Sequence, residues 1–108
     1  MQAVKARVAE LIKTPGKVLV FSKTYCPYCD EAKSVLGSVD VKFEAFELDK
    51  LPDGDDMQKA LLELTGQRTV PNIFMSGTHI GGCDDLKSKI KSGKVLEVLE
   101  AAGIPYNI

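Results

Sequence analysis

Apolar positions recur along this chain in two rhythms, one of helical period and one of short unbroken runs. Val4, Val8, Leu11 and Ile12 follow i, i+4, i+7, i+8 spacing, which lays one apolar stripe along a first helix. Thr14-Pro15-Gly16 supplies turn residues. Val18 to Phe21 is continuously apolar, the pattern of a strand buried on both faces. A second helix is predicted from Pro27, because proline at the first helical position needs no partner for its missing N–H. Cys29, Ala32, Val35 and Leu36 mark its inner face, and Gly37 is the expected stop. Val41 to Leu48 reads as a strand with Val41, Phe43 and Ala45 on one side.

Met57, Ala60, Leu61 and Leu64 give another helix a core stripe, closed by Gly66. Ile73-Phe74-Met75 and Thr78-His79-Ile80 flank Ser76-Gly77, a hairpin signal. Leu86 and Ile90 lie on a further helix that breaks at Ser92-Gly93, resumes through Val95, Leu96, Val98 and Leu99, and ends at Gly103 and Pro105. The predicted order is α-β-α-β-α-β-β-α-α. A β-α-β unit makes one strand pair parallel and the hairpin makes others antiparallel, so the sheet is mixed. Helices on both faces give a three-layer α/β fold.

With 108 residues the chain has the size of a single domain, residues 1–108. Fourteen Lys and Arg against fifteen Asp and Glu leave a net charge of −1, which excludes an electrostatic grip on nucleic acid or an anionic membrane. The charge is unevenly spread. Lys5, Arg7, Lys13, Lys17 and Lys23 make the N-terminal segment basic, and acids peak between Asp49 and Asp56, around Pro52 and Gly54, in what reads as a solvated loop. The first thirteen residues scatter charge and hold no apolar core, so no secretory signal is read and a cytosolic location is expected, with a removed organellar address left open. There thiols stay reduced, and three cysteines point to redox chemistry, metal binding or burial before a disulfide framework.

Cys26-Pro27-Tyr28-Cys29 follows the buried strand and opens the second helix. The thiolate is the reactive form of cysteine, and a helix N-terminus stabilises it with free N–H groups and the positive end of the dipole. Lys23 adds positive charge on the same loop. Cys29 falls one turn further on, on the apolar face, where it is shielded. Cys26 is therefore the expected nucleophile and Cys29 the expected resolving thiol. Two competing readings are inert core cysteines and a zinc site completed by His79 and Cys83. The second lacks the spaced second pair that marks such sites.

Cys26-Pro27-Tyr28-Cys29, then Thr69-Val70-Pro71, then Gly81-Gly82-Cys83-Asp84-Asp85 occur in an order and separation that resembles a dithiol glutaredoxin, over about Lys17 to Gly103. The resemblance implies a thioredoxin-like fold with a four-stranded mixed sheet. It also implies a glutathione-dependent thiol–disulfide oxidoreductase acting on protein–glutathione mixed disulfides and protein disulfides. Glutathione would be a co-substrate, re-reduced by glutathione reductase, and no metal is expected. By the same resemblance Lys23, Gln58 and Arg68 would take the glycine carboxylate of glutathione. Thr69 and Val70 would meet its cysteinyl residue across a cis Val70–Pro71 bond. Gly82, Cys83 and Asp84 would hold its γ-glutamyl end, with Tyr28 lining the groove.

Each residue has a plainer reading. Lys23 and Arg68 fit a solvated surface, Asp84 and Asp85 fit helix capping, Pro71 fits an ordinary trans proline, and Tyr25 fits loop packing. At Asp85 capping is the preferred reading. Cys83 is read as a small residue of a helix start and not as a catalytic thiol. Among rival functions, a thioredoxin would present Trp-Cys-Gly-Pro-Cys, which Tyr25, Pro27 and Tyr28 do not match. A 2Fe–2S cluster shared between two chains is associated with looser motif loops than one stiffened by Pro27. A monomer without a cluster is expected.

Overall fold

The computed structural model describes residues 2–108. Its elements run α1 (Gln2–Ile12), β1 (Val18–Ser22), α2 (Pro27–Ser38), β2 (Glu44–Glu47), α3 (Gly54–Thr65), β3 (Asn72–Met75), β4 (Thr78–Gly81), α4 (Cys83–Lys91) and α5 (Lys94–Ala102). The four strands form one sheet in the order β2-β1-β3-β4. β1 pairs in parallel with β2 and antiparallel with β3, and β3 pairs antiparallel with β4.

β1 is buried along its whole length because both faces of the sheet are covered. Val18 and Val20 point into a core built with Ala32 and Leu36 of α2, Leu86 of α4 and Leu99 of α5. Leu19 and Phe21 point the other way, toward Val8 of α1 and Met57, Ala60 and Leu61 of α3. Phe21 stacks on Phe46 and meets the edge of Phe74, with centroids 5.3 and 5.8 Å away. The chain is therefore a three-layer, thioredoxin-like α/β fold. The hairpin turns at Ser76 and Gly77 with φ of 49° and 88°, the left-handed pair that a two-residue turn between twisted strands requires.

Four expectations are corrected. α2 passes through Gly37 to Ser38, and the chain turns at Asp40, whose φ of 56° does the work expected of the glycine. β2 is shorter than Val41–Leu48, and Ala45 is exposed, because β2 is an edge strand with β1 on one side only. Leu64 is 37% exposed and stands at the rim of the α3 stripe, not in its core. The acidic stretch is not all loop. Gly54, Asp55 and Asp56 form the first turn of α3, where the two carboxylates complement the dipole and Gly54 lies against the Leu48 carbonyl.

Candidate active site

The chain leaves β1 at Ser22 and reaches the start of α2 through Lys23, Thr24 and Tyr25. The Cys26 N–H donates to the Lys23 carbonyl at 3.1 Å. Asp49, just past β2, accepts from the Thr24 hydroxyl and from the Thr24 N–H, the latter at 3.0 Å. Those two donors hold its carboxyl below the usual value. The loop is thus tied at both ends.

Cys26 is the N-cap of α2, with extended backbone at φ −100° and ψ 109°. Its sulfur accepts from the Cys29 N–H at 3.1 Å, the bond a serine or aspartate oxygen makes at such a position. Its thiol also lies 3.7 Å from the Val70 carbonyl. Cys29 is fully buried, and that burial, followed by its hydrogen bond to the Cys26 sulfur, pushes its thiol up to about 11. One partly exposed sulfur therefore sits in the field of a helix N-terminus, with a shielded, protonated one behind it. All three cysteines are free thiols.

The facing wall is the segment from α3 to β3. Gly66, in left-handed conformation, ends α3. The Gln58 amide donates to the Arg68 carbonyl at 2.8 Å. The Gln67 amide donates to the Thr69 and Pro71 carbonyls at 3.1 and 3.0 Å. The Val70–Pro71 bond between them is cis. The third wall is the start of α4. Gly82 is its N-cap, and Asp85 accepts the Gly82 N–H at 3.0 Å, half of a capping box because Gly82 has no side chain to return the bond. Asp85 is thus the cap its position indicated, while Asp84 is exposed at the helix end. Burial, then the nearby Asp84 charge, raises the Cys83 thiol.

Two depressions meet at this point. One, about 460 Å³, is lined by Lys23, Tyr25, Cys26, Pro27, Gln58, Arg68, Thr69 and Val70. The other, about 280 Å³, is lined by Tyr28, Thr69, Val70, Pro71, Gly82, Cys83 and Asp84. Every candidate residue except buried Cys29 lines one of them. His79 lies elsewhere: its Nε2 is 2.7 Å from the Asn72 Oδ1 and its ring packs on Phe74. Among the described residues no three His, Cys, Asp or Glu side chains gather as a metal site. Sequence reasoning missed Asp49 and Gln67. Asp49 lies 25 residues from its partner, with no local signal, whereas Gln67, a polar residue beside the Thr69-Val70-Pro71 motif, was open to notice.

A thioredoxin-like sheet carrying a helix-capping thiol, a buried second thiol one turn behind and a cis-proline opposite defines a thiol–disulfide oxidoreductase. The glutaredoxin family model matches residues 18–80. A glutaredoxin of Vernicia fordii is 48% identical over 103 residues, covering 95% of this chain and 96% of the relative. Glutaredoxin-C2 of Arabidopsis thaliana is 50% identical over 95 residues, covering 88% and 86%. The crystal structure of a buckwheat glutaredoxin–glutathione complex superposes with a TM-score of 0.88 at 41% identity, covering 94% of this chain and 92% of that one. The chain belongs to the glutaredoxin family, and its Cys26–Cys29 pair makes it a dithiol member.

Proposed function

We propose that this protein reduces protein–glutathione mixed disulfides, and protein disulfides, with glutathione as its reductant. The observation that carries the reading is the charge layout on either side of Cys26. Lys23 and Arg68 line one depression, while the start of α4 and the Asp84 carboxylate line the other. Glutathione has the matching ends, a glycine carboxylate and a γ-glutamyl group bearing both ammonium and carboxylate. Lys23 and Arg68 take the first through charge-assisted bonds, joined by the Gln58 N–H that Arg68 leaves free. The N–H groups of Cys83 and Asp84 take the γ-glutamyl carboxylate, and the Asp84 carboxylate takes the ammonium. Thr69, Val70 and Pro71 meet the cysteinyl part between them, and Tyr28 closes the side.

In the reaction, the Cys26 thiolate attacks the glutathionyl sulfur and the protein thiolate leaves. A second glutathione then attacks the Cys26–glutathione disulfide, giving oxidised glutathione and free Cys26. For a protein disulfide, Cys26 forms the mixed disulfide and Cys29 resolves it. The protein acts as a monomer in a reducing compartment such as the cytosol. The test is turnover of a small glutathione mixed disulfide with glutathione and glutathione reductase, set beside thioredoxin reductase as sole reductant. Turnover with the first system alone supports the proposal, and turnover only with the second overturns it.

A further inference from the structure

The depression that holds Lys23 and Cys26 has a neighbour. Gln58 and Arg68, joined by the bond from the Gln58 amide to the Arg68 carbonyl at 2.8 Å, also line a second hollow of about 360 Å³. Its other walls are Asp55, Lys59 and Leu62, which fall on one face of α3 at i, i+4 and i+7. Glutathione as placed above reaches Arg68 with its glycine carboxylate and has no atom beyond it. The α3 hollow is therefore left over when glutathione is bound.

Its charge is mainly positive. Lys59 and Arg68 are exposed, and among the described residues neither forms an ion pair. Asp55 stands in the first turn of α3, where the positive end of the helix dipole offsets part of its charge. Leu62, half-buried, adds an apolar floor. Such a surface suits a chain that carries carboxylates.

The direction of that chain follows from the glutathione reading, on which this inference rests. With the γ-glutamyl end at α4, the cysteinyl residue at Val70 and the glycine at Arg68, a bound peptide runs antiparallel to residues 68–70. A polypeptide whose cysteine is joined to Cys26, lying along Val70 in the same sense, sets its next residue opposite Thr69 and the one after opposite Arg68. At about 3.3 Å per residue, the second and third residues after the cysteine then stand over the α3 hollow.

We infer that the hollow between α3 and Arg68 receives the residues that follow the reactive cysteine of a polypeptide disulfide, and that Lys59 and Arg68 make it favour acidic side chains there. In the step, the Cys26 thiolate attacks one sulfur of the substrate disulfide. That sulfur bonds to Cys26, and the other leaves as a thiolate that takes a proton from solvent. The Cys29 thiol then displaces the bound half, which leaves with the proton that Cys29 gives up, and glutathione reduces the resulting Cys26–Cys29 disulfide. The preference is exerted in the first attack. It does not extend to protein–glutathione mixed disulfides, where glutathione itself lies in the groove.

The test uses Cys29→Ser protein, which stops at the mixed disulfide, and symmetric disulfides of three short peptides with one cysteine each. One peptide has glutamates at the second and third positions after the cysteine, one has lysines there, and one has the glutamates at the second and third positions before it. Acid quenching and mass spectrometry at physiological salt follow formation of the Cys26–peptide disulfide. The first peptide is expected to react about tenfold faster than the lysine peptide. It should also react about fivefold faster than its isomer, which has the same net charge. Adding Lys59→Glu should bring the glutamate and lysine peptides to within about twofold of each other, while the reaction of Cys26 with oxidised glutathione changes by less than about twofold. Equal rates for the two glutamate isomers overturn the inference. So does a loss in Lys59→Glu shared equally by the peptides and oxidised glutathione, which marks a general effect of charge. Absence of any Cys26–glutathione disulfide in the wild type would instead sink the proposed function.

Discussion

The backbone N–H of Cys29 donates to the sulfur of Cys26 at 3.1 Å, so the second cysteine of the pair holds the first through its main chain. Its own sulfur is meanwhile buried and protonated. Main chain and side chain of one residue thus serve different steps. Cys26→Ser should abolish all turnover. Cys29→Ser keeps the N–H and should retain deglutathionylation while losing reduction of protein disulfides. Cys29→Pro, at a position in the first helical turn where proline is tolerated, removes the N–H and should cost deglutathionylation about ten- to a hundredfold, the worth of a hydrogen bond to a charged group. Parallel assays on the two substrates check all three, and wild-type deglutathionylation by Cys29→Pro would show the bond to be idle.

Removing the cations of the larger depression should affect binding more than chemistry. Arg68→Gln and Lys23→Gln are each expected to raise the KM for a glutathionylated substrate by about tenfold, with kcat changed far less. The loss should shrink at high salt, since both side chains are reached by solvent. A fall in kcat at constant KM would place them in the chemical step instead.

Gln67 holds two carbonyls with one amide, and those carbonyls flank the Val70–Pro71 bond. Gln67→Glu replaces the donor with a carboxylate that repels both. Stability should drop by about 1–3 kcal/mol in urea, and KM for glutathionylated substrate should rise. Gln67→Leu, which removes the donor without adding charge, should do less harm to both.

Gly54 admits no side chain: a Cβ there would stand 1.7 Å from the Leu48 carbonyl oxygen. Gly54→Ala must push β2 and α3 apart and is expected to destabilise the fold by about 3 kcal/mol or more. Chemical denaturation measures it, and a loss under about 0.5 kcal/mol would mean that the helix start shifts freely.

The reduced protein should lose stability at alkaline pH. Burial raises the Cys29 thiol from the ordinary 9.0 to about 11. Below pH 9 both folded and unfolded chains keep this proton. Between 9 and 11 the unfolded chain releases it first, so unfolding gains on the order of 1 kcal/mol per pH unit. The raised Cys83 and Tyr106 groups act in the same direction. Urea titrations of reduced wild type and Cys29→Ala at pH 8 and 10.5 check this; the variant should show the shallower fall.

The unbroken apolar run of β1, the stripes of α1 and α3, the Ser76-Gly77 turn and the placement of Cys26 at a helix start are local properties of the chain, and they could be read residue by residue. Edge and burial are not local. Ala45 follows the period of its strand but is exposed because no strand lies beyond β2. Gly37 is a permissive residue that the helix simply passes through. The acids near Gly54 look solvated until α3 is seen to begin among them.

The sequence by itself determined the order of elements, the asymmetry of Cys26 and Cys29 and, through three short motifs, the family. These depend on backbone preferences and on spacing within a helical turn or a strand. Only the tertiary structure decided that Asp49 ties down Thr24, that Gln67 clamps the proline segment, and that Lys33 of α2 pairs with Glu47 of β2. The physical reason is that a hydrogen bond or ion pair between distant residues depends on how sheet and helices pack. That packing is set by the whole core, and no single stretch of chain carries it.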